Sequence, residues 1–287
     1  MNLITILCAL AVEFFYKPVQ ELRRYDWFHR YADMVYARLE GQSWRDGPVG
    51  VLLVIGSVVF AVWLVNAMLA GVAGFFSFLF GIVVLVFTLG PKDLTGEVED
   101  YQAAVSRDDK EAAFLYASRI LGYEPDVSPA ELGEHVQQGI LLEANSRVFG
   151  VLLWFMLLGP VGAALFRLSC ELKQHQSQIE SGYAVASRNL FRILIWLPVR
   201  LLVIGFALAG SFVDTFSRLD SFADFWQADS ETLLVESGLG AVAHEPVGHE
   251  EAGADEEAIN QMMALVKRTL LVWLAILALL TLTGWVF

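Results

Sequence analysis

The sequence predicts an all-α protein, a polytopic integral membrane helical bundle with cytoplasmic amphipathic helices and a re-entrant helical hairpin. Hydrophobic residues make up 56% of the 287-residue chain, whereas soluble globular chains are about 45–50% apolar. Several apolar runs approach the roughly 20 residues with which a helix crosses a bilayer. Gly159-Pro160 and Gly162 interrupt one of these runs in its middle. Such a break predicts either one kinked span or two half-helices that fold back.

The overall charge restricts the partners of the protein. The formal net charge is −13, and nucleic-acid binding needs a basic surface, so no nucleic-acid partner is expected. The predicted partner is the lipid bilayer, and homo-oligomerisation stays open. The first residues have no basic stretch, and Glu13 interrupts their apolar run. This pattern does not fit a cleaved signal peptide, so we expect a short, mostly buried helix.

Residues 1–48 are predicted to hold that short helix and an amphipathic one. Within 17–48, aromatic and aliphatic residues recur near the helical period. Six basic side chains share the segment: Lys17, Arg23, Arg24, Arg30, Arg38 and Arg45. The combination suits a cytoplasmic membrane surface. A solvated helix that packs on the membrane bundle is an equally good interpretation.

Residues 49–91 are predicted to form a transmembrane hairpin. Its two apolar helices cover 49–70 and 72–90, and Gly71 and Gly74 mark the turn. Because the connection is so short, both outer ends of the hairpin lie on one side of the membrane. The basic residues of 17–48 place that side in the cytoplasm by the positive-inside rule.

Residues 92–148 are polar, with 12 acidic and 5 basic residues, and predict a cytoplasmic helical subdomain. Asp108-Asp109 can cap a helix that runs to Leu121, where Gly122 stops it. The run Ser128-Pro129-Ala130-Glu131 has the pattern of a capping box with proline at the first helical position. It predicts a second helix that continues into the next apolar segment.

Residues 149–213 are predicted to be re-entrant or transmembrane segments. The part from 188 to 213 carries three arginines, Arg188, Arg192 and Arg200. An arginine at the membrane centre costs about 2.5–3.5 kcal/mol even on the mildest insertion scale. These side chains must therefore reach the interface, pair with acids or line a polar cavity.

The rest of the chain is predicted to be an acidic loop, 214–267, and a last transmembrane helix, 268–287. The loop holds 12 acidic residues, and its Gly-rich part from Gly238 to Glu257 is typical of loosely ordered chain. His244 and His249 lie too far apart for a zinc-protease motif, and Pro246 would break the helix that the motif needs. Phosphate-binding patterns are missing as well. The sequence thus predicts no metal site, no cofactor and no catalytic residue set.

Polar and ionisable residues in or beside apolar segments are the candidates for a ligand-binding site, because such residues in a membrane protein usually have a function. They are Glu13, Glu143, Asn145, Arg147, Arg167, Arg192 and Arg200. One interpretation is a cavity for an anionic small molecule or lipid, lined by arginines, with the two glutamates as counter-charges. The simpler interpretation is that the arginines mark the cytoplasmic interface and pair with Glu13, Glu143 or Glu171.

Two runs carry a resemblance to a known family. They are WFMLLGPVGAALFRL, from Trp154 to Leu168, and WLPVRL, from Trp196 to Leu201. These runs resemble the AmpE family, inner-membrane proteins encoded with AmpD and linked to the regulation of β-lactamase induction in Gram-negative bacteria. The acidic insert and the final span fit too, so the resemblance covers nearly the whole chain. It implies a multi-pass protein of the bacterial inner (cytoplasmic) membrane with a signalling role in the antibiotic response.

AmpE is in turn similar to the cobalamin-biosynthesis family CbiB/CobD. That family joins aminopropanol or its phosphate to adenosylcobyric acid through an amide, with ATP and Mg²⁺. Glu13 falls where that family has an acid, and Arg167 stands near a family lysine. Glu143 matches the first residue of the family motif Glu-Asn-x-x-Asp-Gly, but Asn145 comes one place late and no Asp-Gly follows. Arg147 appears there instead.

The second motif shows the same partial agreement. Pro198 and Arg200 keep a Pro-x-Arg motif, but Phe191 and Arg192 replace the paired Asp before it. The carboxylates that would hold Mg²⁺ and a nucleotide are thus mostly missing. The resemblance therefore implies a non-catalytic regulatory protein. A diverged cobinamide-phosphate-synthase-like amide ligase is one alternative, and a transporter or lipid-binding protein with an arginine-lined cavity is another.

The resemblance also bears on the broken apolar segment. In the enzyme family, polar motifs stand at both ends of the segment that corresponds to 149–170. They are used together most easily if the segment is a re-entrant hairpin that turns at Gly159–Gly162. We therefore expect the hairpin, and a full span is the alternative.

Overall fold

The computed structural model describes residues 2–15, 23–42, 44–90, 94–129, 131–177, 179, 181–217, 222–242 and 254–282. These residues are overwhelmingly α-helical, and none of them lies in a strand. Four helical stretches are long and apolar enough to cross a membrane: Pro48–Val72, Leu132–Leu158, Gly182–Ala209 and Asp255–Leu282. The predicted fold class, an all-α membrane bundle, is confirmed.

The described residues form two compact units. Unit 1 draws on Met1–Pro91, Ser146–Trp196 and Leu280–Phe287, and unit 2 on Lys92–Asn145 and Leu197–Leu279. The first helices of unit 1 are α1 (Asn2–Phe15), α2 (Asp26–Arg38), α3 (Pro48–Val72) and α4 (Gly74–Thr88). The extended backbone of Ala73 alone separates α3 from α4. The predicted hairpin of two apolar helices is present, with bounds shifted by one or two residues.

The unit-2 helices that come before the next part of unit 1 are α5 (Leu94–Ser106), α6 (Lys110–Leu121) and α7 (Leu132–Ala144). The predicted caps of α6 are confirmed. The Asp109 side chain accepts a hydrogen bond from the backbone N–H of Ala112, and Gly122 adopts the left-handed conformation that ends a helix. Before α7, the backbone N–H and the hydroxyl of Ser128 donate to the Glu131 carboxylate, which is half of the predicted capping box.

The chain then turns back on itself in unit 1. After a π-helical turn (Asn145–Phe149) come α8 (Gly150–Leu158) and α9 (Pro160–His175). Gly159 between them has φ +65°, a conformation that favours glycine. A Cβ on Gly162 would lie 2.1 Å from the carbonyl oxygen of Trp154, and one on Gly150 would lie 2.2 Å from the Phe166 ring. The two arms are therefore antiparallel and in close contact, as the hairpin prediction requires.

The hairpin tip lies beside the middle of α4. A Cβ on Gly81, halfway along the 15-residue helix α4, would lie 3.8 Å from Pro160 Cγ and 3.4 Å from Thr5 Cγ2. At the other end, the Gly90 N–H donates to the Arg147 carbonyl over 3.1 Å. The hairpin thus starts level with the end of α4 and turns about half-way along it. The hairpin is thus folded back within the length of α4, about 22 Å, and its re-entry into a membrane stays a prediction.

Helix α10 (Gly182–Ala209) follows and carries Pro198 in its interior. Proline has no N–H, so the carbonyl four residues earlier, that of Leu194, loses its helical donor. In unit 1, the indole Nε1–H of Trp154 donates to this Leu194 carbonyl over 3.0 Å. The hairpin arm α8 thereby supplies the hydrogen bond that the proline removes, which an apolar environment demands.

The acidic segment is more helical than the sequence predicts. It contains α11 (Phe212–Ser217), α12 (Phe222–Gln227), α13 (Ser230–Val242) and the start of α14 (Ala254–Leu282). The described parts of the expected loop, 238–242 and 254–257, are helical, and the expected helix start at 268 is corrected to Ala254. Three acidic residues of this part lie in the first turn of α14, where the helix dipole favours negative charge. Residues 243–253, with His244 and His249, lie outside the described residues.

The glycines of α13 explain part of this difference. A Cβ on Gly238 would lie 2.5 Å from Leu141 Cδ1, and one on Gly240 would lie 2.7 Å from the Asp214 carbonyl oxygen. Composition suggests a flexible chain at these positions, but within unit 2 the missing side chains let α13 pack closely on α7 and α11.

A double-mutant cycle can test whether the hydrogen bond from Trp154 replaces the one that Pro198 removes. Trp154→Phe removes the indole donor and leaves the Leu194 carbonyl without a partner, which should destabilise the protein by about 1–3 kcal/mol. Pro198→Ala restores a backbone N–H at position 198, so Trp154→Phe should cost much less in that background. Thermal unfolding of the purified protein in detergent measures both effects. Trp63→Phe is the control, since Trp63 is half exposed on α3; equal costs of Trp154→Phe in both backgrounds would contradict the assignment.

Candidate functional site at the open end of the hairpin

The open end of the α8–α9 hairpin gathers charged side chains of unit 1. We call this group the mouth cluster. Its members are Glu13, Arg23, Tyr25, His29, Asp33, Arg147, Arg167, Glu171 and His175. They come from α1, the segment before α2, α2 itself, the π-helical turn that precedes the hairpin and its second arm, α9. The fold therefore brings to one end of unit 1 the charged residues that flank the apolar hairpin in sequence.

One half of the mouth cluster is built around Arg23. Its side chain is fully buried, and its guanidinium forms an ion pair with Glu13 in α1, which is 24% exposed. Nη1 of Arg23 donates to Glu13 Oε1 over 2.9 Å and to the Gly90 carbonyl over 2.7 Å. The aliphatic part of Arg147 lies against Gly90, where a Cβ would be 2.5 Å from Arg147 Cγ. Arg23 thus ties α1 to the end of α4 and, through Gly90, to the hairpin.

The other half is built around Arg167 in α9. Nη2 of Arg167 lies 2.5 Å from Oε1 of Glu171, one helical turn further on, and both residues are buried. The guanidinium also lies over the ring of Tyr25, 5.1 Å from its centroid. The Tyr25 hydroxyl donates to the Phe87 carbonyl in the last turn of α4 over 2.5 Å. A buried cation here is balanced by a carboxylate and an aromatic face.

Two histidines connect α2 to α9 beside this pair. The rings of His29 and His175 stack with their centroids 4.5 Å apart and 7° between their planes. Nε2 of His29 lies 3.3 Å from Oε2 of Glu171, close enough for an ion pair but not aligned as a hydrogen bond. Nε2 of His175 lies 3.0 Å from Oδ1 of Asp33. Each imidazole thus faces a carboxylate of the opposite helix.

The environment changes the acidity of two members. Burial raises the pKa of the Tyr25 hydroxyl, and the nearby Arg167 only partly opposes this. Burial alone would raise the pKa of Glu171, but His29 and Arg167 outweigh it, so this pKa is lowered. Tyr25 therefore stays neutral and Glu171 stays charged around neutral pH.

The structure divides the seven predicted site residues among different surroundings. Glu13, Arg147 and Arg167 belong to the mouth cluster, whereas Arg192, also in unit 1, is exposed on α10. The remaining three, Glu143, Asn145 and Arg200, belong to unit 2.

Arg200 forms hydrogen bonds to the turn between α12 and α13 within unit 2. Its guanidinium donates to the Ser230 hydroxyl over 2.5 Å and to the carbonyls of Ala228 and Trp226 over 2.9 and 3.3 Å. These three acceptors lie where α12 ends and α13 begins. Arg200 is 3% exposed, so its charge is used inside the protein to hold this turn.

Asn145 is the least satisfied of the predicted residues. It starts the π-helical turn and is fully buried. Neither its amide nitrogen nor its carbonyl oxygen has a hydrogen-bond partner in the part of the chain that the structure describes. π-Helical turns occur frequently at functional sites, and an unpaired buried amide is costly.

Sequence reasoning missed several members of the mouth cluster as site residues. Arg23 and His29 come from a segment interpreted as interfacial, and His175 comes from one interpreted as re-entrant or transmembrane. Only their partners show their role. The spacing of Arg167 and Glu171, four residues apart on a helix, is a signal that predicts their pairing. Among the residues that the structure describes, no group of three His, Cys, Asp or Glu side chains could hold a metal ion.

Comparison with known proteins identifies the family. The family model described as "Regulatory signalling modulator protein AmpE" matches residues 1–287. The chain belongs to the AmpE family. No solved structure matches it.

This AmpE-family chain is also similar to two curated proteins named as cobalamin biosynthesis protein CobD. One, from Stutzerimonas stutzeri, is 23% identical over 223 residues, which cover 75% of this chain and 72% of the relative. The other, from Chromobacterium violaceum, is 23% identical over 167 residues, which cover 56% of this chain and 53% of the relative. The resemblances noted in the sequence thus extend to whole-chain similarity for AmpE and to distant similarity for CobD.

Because the pair between Arg23 and Glu13 is buried, removing its negative charge should cost more stability than removing that of an exposed pair. Glu13→Gln leaves the Arg23 cation buried without its counter-charge and should destabilise the protein by about 2 kcal/mol. Asp26→Asn is the matched control, because the ion pair of Asp26 with Arg24 is exposed on both sides, and such pairs contribute about 0–1 kcal/mol. Thermal unfolding in detergent distinguishes the two variants, and similar losses in both would contradict the assignment.

Because the side-chain amide of Asn145 is unpaired, its removal should increase the stability of the protein. Asn145→Leu keeps the branching at Cγ and deletes two polar atoms without partners, so it should stabilise the protein by about 1–3 kcal/mol, less the strain of the larger methyl groups. Asn66→Leu is the control and should lower the stability, because Asn66 accepts a hydrogen bond of 3.0 Å from Ser77. A clear loss of thermal stability in Asn145→Leu would show that the amide has a partner.

Proposed function

We propose that this protein is a non-catalytic regulatory protein of the bacterial inner membrane, crosses that membrane several times and acts in the signalling that controls β-lactamase induction. The match of the AmpE regulatory family over the whole chain carries this proposal. Four helical stretches with the length and composition of membrane spans support the location.

The geometry of the mouth cluster supports a regulatory role. Buried arginines at the open end of the hairpin are balanced by carboxylates of the same chain, as in the pairs of Arg23 with Glu13 and Arg167 with Glu171. Mg²⁺ and nucleotide sites instead need carboxylate oxygens that face the ligand. At the position of the enzyme family's Asp, this chain has Arg147, which reverses the local charge. The cluster therefore suits a change of pairing between its own residues better than nucleotide chemistry.

The basic residues that flank the first helices support an orientation. The lysines and arginines of 17–48 favour the cytoplasmic side, and Arg23, which belongs to them, lies in the mouth cluster. We therefore place the open end of the hairpin in the cytoplasm. A cytoplasmic signal or partner would reach the mouth cluster directly.

The similarity to two CobD proteins supports a second candidate, a diverged amide ligase. The third candidate, a transporter or lipid-binding protein with an arginine-lined cavity, finds less support. The two Nη atoms of Arg200 donate to three acceptors of its own unit, and Arg167 is engaged by Glu171.

The decisive experiment deletes the gene in a host with inducible β-lactamase and measures two outcomes. The regulatory proposal expects altered β-lactamase activity after induction, restored by the wild-type gene, with unchanged growth under cobalamin limitation. The ligase alternative expects a growth defect that the cobalamin precursor with the amide already formed relieves. That second outcome, without an effect on induction, would overturn the proposal.

A double variant tests whether the mouth cluster is needed for the effect on β-lactamase induction. Arg167→Gln with Glu171→Gln removes both charges of the buried pair without leaving one uncompensated, so folding should be retained. We expect this variant to complement induction poorly. Arg24→Gln with Asp26→Asn, which removes an exposed pair, should complement fully. Membrane levels of each variant are measured in parallel.

A further inference from the structure

Helix α2 has an inner face and an outer face of different character. Its inner face packs into the core of unit 1, where Phe28 and Ala32 contact the first turns of α3 and the end of α9. The outer face carries a row of side chains at helical spacing, which we call the outer stripe. The outer stripe consists of Trp27, Arg30, Met34 and Arg38, all of them exposed.

The position of α2 is level with the end of the apolar helices. Tyr25, just before α2, reaches the Phe87 carbonyl in the last turn of α4. The Tyr31 hydroxyl lies 2.6 Å from that of Ser57 in α3. Beside these contacts, Leu52 and Leu53 of α3 expose 57% and 44% of their surface. The outer stripe therefore continues an apolar, exposed surface of a helix that can span a membrane.

The chemistry of the outer stripe fits the headgroup region of a bilayer. Trp27 and Met34 expose 50% and 56% of their surface, and large apolar groups on an interfacial helix insert at the boundary between headgroups and acyl chains. Trp27 is also the residue type that is enriched at membrane interfaces. These two side chains supply the apolar contact.

The two arginines of the outer stripe supply the charge. Among the described residues, neither Arg30 nor Arg38 forms an ion pair with a carboxylate, whereas their neighbour Arg24 is paired with Asp26 at 3.2 Å. The Nε of Arg30 donates to the Asp26 carbonyl over 3.2 Å, which fixes the side chain along the helix. Both guanidinium groups stay available for phosphate, which they bind well.

We propose that the outer stripe binds anionic phospholipid headgroups at the membrane surface, with its arginines on the phosphates and its apolar members in the upper acyl region. The lipid thereby holds α2, and with it Tyr25 and His29 of the mouth cluster, against the hairpin. The composition of the membrane would thus act on the mouth cluster through α2.

The test measures lipid affinity of the full-length protein by native mass spectrometry in mixed micelles of phosphatidylglycerol and phosphatidylcholine with identical acyl chains. The wild type should prefer phosphatidylglycerol. Arg30→Gln with Arg38→Gln should lower that affinity by about fivefold for each arginine, and so ~25-fold together, with a much smaller loss for phosphatidylcholine, whose choline cation offsets its phosphate charge. Met34→Gln should weaken both lipids to a similar degree, because it removes only apolar contact.

Controls separate this proposal from general charge effects and from misfolding. Arg107→Gln with Lys110→Gln removes the same charge from exposed positions just after α5 and at the start of α6 and should leave the preference intact. Arg30→Lys with Arg38→Lys keeps the charge and should keep most of the preference. An unchanged preference in the arginine-to-glutamine variant, or an equal loss in the control, would overturn the proposal. Competition by soluble glycerophosphoglycerol, which lacks acyl chains, would also overturn it, since it would indicate a small-molecule site.

Discussion

The close approach of two backbones at the hairpin turn determines how unit 1 is arranged. Gly162 has no side chain, and its position lies so near the Trp154 carbonyl that a Cβ would require the arms to separate. Because α8 and α9 fold back at Gly159, residues that flank the apolar segment in sequence return to the same end. Arg147 on the first arm and Arg167 on the second therefore lie level with the end of α4. Without this turn, a continuous helix would carry Arg167 about 30 Å away from Arg147.

Burying charge at that end imposes the second constraint. Several cations lie out of water, and isolated burial would cost several kcal/mol for each. The chain compensates locally, by Glu13 for Arg23 and by Glu171 for Arg167, with the Tyr25 ring over the second cation. Pairs of this kind add little net stability, because desolvation offsets most of the attraction. They do fix which helices meet, so a change of one pairing would be transmitted to α1, α2 and the hairpin together.

The sequence predicts those features that depend on local rules. The Gly-Pro break predicts the hairpin, and Asp109 and Gly122 predict both ends of α6. Features that depend on tertiary partners cannot be predicted from the sequence. Nothing in the sequence shows that Glu13 pairs with Arg23 and not with another arginine. The glycines at 238 and 240 have the composition of a loop, yet they serve close helix packing, because the same missing side chain permits flexibility or contact.

The two runs that carry the resemblance to AmpE have structural tasks in this protein. Trp154 of the first run donates to the carbonyl that Pro198 of the second run leaves without a partner. Arg200, two residues later, holds the turn before α13. Residues with such tasks are needed by the scaffold whatever chemistry it supports, so sharing them is evidence for a shared fold. The positions that differ are those of carboxylates, where Arg147, Phe191 and Arg192 stand instead. Chemistry with Mg²⁺ and a nucleotide depends on such carboxylates, so these differences from the cobalamin-biosynthesis motifs support the regulatory role that we propose.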